Sequence, residues 1–94
     1  MELPFFQESI EDNKIPASIS VYLQAMWHDG RGDWDKAHGL VDSLTDTTAC
    51  WVHAYLHRKE GDLWNADYWY SKAGEERPDI MLEQEWEILV KALL

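Results

Sequence analysis

An all-α fold, two helical hairpins stacked side by side and closed by a C-terminal helix, is predicted by an internal duplication and by the turns that punctuate it. A phrase running from Leu23 to Val41 returns 29 residues later in the stretch from Trp51 to Gly74. Ala25 falls on Ala54, His28 on His57, Gly32 on Gly61, Asp33 on Asp62 and Ala37 on Ala66, with no slip in register. Each glycine suits the left-handed position that ends a helix, and the aspartate after it caps the next one, so each copy folds back on itself. Neither hairpin buries its apolar face alone, which is why repeated pairs stack.

Taken in order, residues 1–17 form an N-terminal lid segment in which no period persists. Pro4 opens a short turn of helix reaching Ile10, with Phe5 and Phe6 laid on the outer face of the first hairpin. The alternative is a disordered tail. Hairpin 1 spans 18–44. Ser18 caps its first helix, whose inward residues are Ile19, Tyr22, Leu23, Met26 and Trp27, and Gly30 and Gly32 end it. Asp33 caps the second, which turns Trp34, Ala37, Val41 and Leu44 inward and carries Gly39 in mid-helix, where close approach of another backbone or ring is expected.

Hairpin 2 spans 46–74. Asp46 caps a helix that ends at Gly61, and Asp62 caps another with Leu63, Ala66, Tyr70 and Ala73 on one face. The alanines let helix axes approach closely, so Ala66→Leu should cost ~1–3 kcal/mol through overpacking. After the polar break Glu75-Glu76-Arg77-Pro78, Asp79 opens a capping helix over 79–93. Ile80, Leu82, Trp86, Leu89, Val90 and Leu93 make its apolar side, and Glu83, Gln84, Glu85, Glu87 and Lys91 its wet side.

Composition narrows the function classes. The chain has 94 residues, enough for one domain, and a net charge of -10 that repels phosphate backbones and anionic membranes. Nucleic acid and membrane are therefore not expected as partners, whereas a basic or amphipathic protein or peptide is favoured. The single cysteine, Cys50, cannot close an internal disulfide, the N-terminus lacks the pattern of a secretory signal, and no apolar run approaches the ~20 residues of a membrane span. The expected location is cytoplasmic, with Cys50 a small buried thiol.

The second hairpin resembles a tetratricopeptide unit: Ala54 in the first helix, Gly61-Asp62 at the turn, then Ala66, Tyr70 and Ala73, with Pro78 at the closing proline. Trp69-Tyr70-Ser71-Lys72-Ala73 also resembles the Trp-Tyr-x-Lys-Ala phrase of Sel1-type repeats. The likeness covers about residues 18–78, and the whole chain is similar to short bacterial proteins of this shape with no assigned function. The 29-residue period is shorter than the family's ~34, repeat 1 lacks the proline, and Gln24-Ala25 and His53-Ala54 replace the family's Leu-Gly pair.

What the resemblance implies is a right-handed stack whose concave face, lined by the first helix of each unit, grips a peptide. The partner-binding residues would be Tyr22, Met26, Asp29, Trp51, Tyr55, Arg58 and Lys59, rich in side chains that concentrate binding energy. Too few basic residues lie there for the family's carboxylate-gripping version. The competing expectation is that Tyr22, Met26, Trp51 and Tyr55 pack beneath the N-terminal segment and leave no groove. The resemblance also places His28 and His57 where the family buries a ring, as flat packed groups.

Metal or small-ligand binding is the rival class. His53, His57 and Glu60, at i, i+4 and i+7, share one side of a helix, and His28 joins them in a wider version of that site. The motif is unspecific: no His-Glu-x-x-His and no cysteine pair accompanies it, so no metal or cofactor is assigned. Nor is any residue assigned a catalytic role, because no Ser or Cys accompanies the His28-Asp29 and Arg58-Glu60 pairs, and Gly30-Arg31-Gly32 is too short for a phosphate loop. A homodimer through exposed Trp64, Tyr68 and Trp86 is a third reading.

Overall fold

A computed structural model describes residues 1–94 as six α-helices with no strand. They are α1 (Leu3–Glu11), α2 (Val21–Gly30), α3 (Trp34–Val41), α4 (Thr47–Glu60), α5 (Leu63–Lys72) and α6 (Leu82–Leu93). No helix is long and apolar enough to cross a membrane.

The duplicated phrases adopt like conformations. Gly32 and Gly61 have φ of 81° and 88°, where a β-carbon is costly. Behind them the amides of Asp33 and Asp62 donate to the carbonyls of His28 and His57, closing each helix with the same Schellman motif. Asp33 then accepts from the amide of Lys36 at 3.1 Å and Asp62 from that of Asn65 at 3.2 Å, so one turn serves both α2–α3 and α4–α5. Ala25, Ala37, Ala54 and Ala66 are all fully buried, as expected of small residues where helices meet. Asp46 caps α4 through the Ala49 amide, and Gly74, at φ 72°, follows the end of α5.

The main core joins Leu23, Met26 and Trp27 of α2, Val41 of α3, Val52 and Leu56 of α4 and Leu89 and Val90 of α6 around Phe6 of α1. Several expected details are corrected. Residues 3–11 form a full helix, packed on α2 and α6, that buries Phe6 against Trp86 and leaves Phe5 exposed. Asn13, at φ 54°, ends that helix as a glycine would. Ser18 is itself left-handed, at φ 62°, so the cap of α2 is Ser20, which accepts from Leu23 N at 3.2 Å.

Gly39 meets nothing within 4 Å; the close approach is at Gly30, where an added β-carbon would lie 2.7 Å from Ile10 Cδ1 and 3.3 Å from Trp86. Leu63 is exposed, at the rim of its helix pair. Arg58 holds the Ile80 carbonyl and Gln84 Oε1 accepts from the Met81 amide at 3.0 Å. Those bonds hold residues 79–81 outside the helix, with Met81 extended as its N-cap, so α6 begins at Leu82.

Candidate functional site

The seven residues expected to line a groove serve chiefly as separate ties between helices. Tyr22 donates to Asp46 Oδ2 at 2.7 Å, Tyr55 to Asp29 Oδ2 at 3.1 Å, and Lys59 Nζ to Asp29 Oδ1 at 2.8 Å. Arg58 Nη1 donates to Glu85 Oε1 at 2.8 Å, and Trp51 Nε1 to Glu85 Oε2 at 3.4 Å. Met26 is fully buried among core side chains, beneath α1 and α6, and the partly buried Arg58, expected to face a partner, is tied to α6 instead.

Glu85 is the residue whose placement reverses the sequence reading. It is 1% exposed and accepts from Tyr70 Oη at 2.6 and 2.7 Å as well as from Arg58 and Trp51. The capping helix is therefore anchored through an ion pair whose carboxylate is buried. Burial, then the neighbouring Glu85, pushes the Tyr70 phenol above its ordinary range; burial, then Asp29, does the same at Tyr55. Both remain hydrogen-bond donors at neutral pH.

Asp29, Tyr55 and Lys59 also belong to a cleft of about 630 Å³ between α1, the end of α2, α4 and α6. Ile10, Leu82 and Trp86 give it apolar walls, and Glu11, Glu83 and Glu87 edge it with carboxylates. Lys59 is committed to Asp29, so those carboxylates are not offset. Trp86, expected on a dimer surface, is half-buried here and donates its indole N–H to the Met26 carbonyl at 3.2 Å; Trp64 and Tyr68 do stand exposed, stacked on each other. A larger depression of about 760 Å³ beside Arg58 and Arg77 is polar, and both guanidiniums are paired, with Glu85 and Asp67.

The histidines regroup. His28 packs edge-on against Trp27, apart from the others. His53 and His57 are joined by His38 of α3, which the sequence reading left unassigned. His38 Nε2 lies 3.0 Å from His53 Nε2, and one nitrogen from each ring lies within 4.8 Å of the other two. Glu60 sits outside this trio with its Oε1 2.7 Å from His57 Nδ1. Burial, then the charges His57 and His38 would carry, lowers the His53 pKa to about 4, so this ring is neutral at physiological pH. Burial also raises the Cys50 thiol, followed by the effect of Asp46, as befits an inert core cysteine.

Family models, curated proteins and solved structures were all compared with the chain, and none matches. The tetratricopeptide and Sel1 likeness accordingly rests on the residues that carry it.

Proposed function

We propose that this chain is a small tetratricopeptide-like interaction module, a right-handed stack of two hairpins sealed by α6, that binds a short basic, amphipathic segment of a partner protein. The observation that carries the reading is the cleft among α1, α2, α4 and α6, with Ile10, Leu82 and Trp86 inside and Glu11, Glu83 and Glu87 at its edge. An apolar anchor enters such a site while flanking Lys or Arg side chains meet the carboxylates. Its volume of about 630 Å³ suits a few side chains, which makes the ligand a segment. The net charge of -10 steers a cationic partner toward it and disfavours nucleic acid. A cytoplasmic setting goes with this reading, in keeping with one free, buried cysteine.

The test is a tryptophan-fluorescence titration with a synthetic helical peptide bearing leucines on one face and lysines on the other. Saturable binding should weaken as salt rises and fall about tenfold or more in Glu83→Lys/Glu87→Lys. Equal binding of a peptide with glutamates in place of the lysines would refute the assignment.

A further inference from the structure

The cluster on α3 and α4 has a chemistry the cleft does not use. We infer that His38, His53 and His57 form a binding site for a divalent first-row transition ion of the zinc class. Three imidazoles from two helices turn one nitrogen each toward a common point, all within 4.8 Å of one another. In a tetrahedral zinc site, with Zn–N near ~2.0–2.1 Å, ligand nitrogens stand about 3.3 Å apart. The His38–His53 pair, at 3.0 Å, lies close to that separation, and side-chain rotations bring in His57.

The outer partners agree with this arrangement. His57 Nδ1 faces Glu60 Oε1 at 2.7 Å and His38 Nδ1 faces Asp42 Oδ2 at 3.8 Å. A carboxylate bonded to the far nitrogen orients a ligating imidazole and leaves Nε2 as the ligand atom, as Glu60 does at His57, and Asp42 stands within ion-pair range of His38 to do the same. Asn65 Nδ2, 3.4 Å from His57 Nε2, is a donor to that same lone pair and would yield to an ion. Trp34 stacks on His38 at 4.7 Å and Trp69 on His53 at 4.0 Å, holding both rings in place with apolar faces.

Packing alone repays this arrangement poorly. His53 is 4% exposed, its Nδ1 has no hydrogen-bond partner, and its Nε2 meets only another imidazole. Three neutral nitrogen donors favour zinc, cobalt, nickel or copper over magnesium or calcium, which prefer oxygen. The half-exposed edge of His38 leaves a route by which an ion enters and a side on which a fourth ligand sits.

The experiment is calorimetric titration of the chelator-treated full chain with zinc chloride, with cobalt(II) absorption as a report of coordination. One zinc per chain should bind, cobalt should give the intense visible bands of a four-coordinate nitrogen site, and both should raise the melting temperature. His38→Ala should weaken zinc at least 100-fold, Asp42→Asn about tenfold through its effect on His38, and His28→Ala not at all. Circular dichroism checks whether His38→Ala folds; Asp42→Asn, on the surface, carries the test if it does not. Failure of the parent to bind 100 µM zinc would overturn the proposal. So would unchanged binding in His38→Ala, or loss only in Asp62→Ala, which would move the ion to the His57, Glu60 and Asp62 group at the end of α4. The peptide titration probes a separate cleft, so either result stands without the other.

Discussion

Removing Arg58 while keeping its bulk should destabilise the fold more than most surface-distant single changes, because it strands a carboxylate. Glu85 is 1% exposed and Arg58 is the cation paired with it, at 2.8 Å. Arg58→Met retains the aliphatic stem, so the loss is electrostatic rather than a cavity. Breaking a buried pair on one side costs ~3–5 kcal/mol, and the surviving Tyr70 and Trp51 donors place this case near the lower end, at ~3 kcal/mol. For a domain of this size that lowers the melting temperature by roughly 12–20 °C. Urea unfolding followed by circular dichroism measures it, with an unchanged m-value showing that the folded state is still compact. Adding Glu85→Gln removes the stranded charge yet leaves a carbonyl for Tyr70, so Arg58→Met/Glu85→Gln should recover ~1–2 kcal/mol relative to Arg58→Met alone. A single-variant cost below ~1 kcal/mol, or a double variant no more stable than the single, would refute the view that α6 is anchored by this pair.

Phe6 is fully buried and Phe5 is 61% exposed, so Phe6→Ala should cost ~3–5 kcal/mol and Phe5→Ala under ~0.5 kcal/mol in the same assay, which separates an integral α1 from a loose tail. Gly39→Ala, on an open helix face with nothing within 4 Å, should stabilise by ~0.5–1 kcal/mol and raise the melting temperature. The Tyr22 hydroxyl, then the Ala49 amide, hold the Asp46 carboxyl below its usual pKa. The stability this gives is present above the unfolded carboxyl's pKa and is lost as pH falls through the lower folded value. Carbon-13 titration of Asp46 should therefore show a depressed midpoint that Tyr22→Phe moves upward.

Much of the architecture was legible because it is local. Gly32, Gly61 and their following aspartates specify turn and cap within a few residues, and both copies close with the same hydrogen bonds. What escaped was long-range. Glu85 was assigned to the wet side by its charge, although it lies on the Leu82–Glu85–Leu89 stripe; the spacing marked it as inward, but its partners Arg58 and Tyr70 are far away in sequence. His38 was missed because one helix supplies His53 and His57, and only the packing of α3 on α4 brings the third ring to them. The glycine at a close contact proved to be Gly30, since the side chains that press on it, Ile10 and Trp86, come from the two ends of the chain.

The most direct measurement of the interaction reading is an amide and indole proton–nitrogen spectrum recorded as the basic amphipathic peptide is added. Binding in the cleft predicts that Gly30, Lys59, Leu82 and the Trp86 indole N–H shift together with one dissociation constant, while the Trp64 indole on the exposed face of α5 stays in place. Shifts confined to Trp64 and Tyr68, or no shift at Trp86 at saturating peptide, would contradict it.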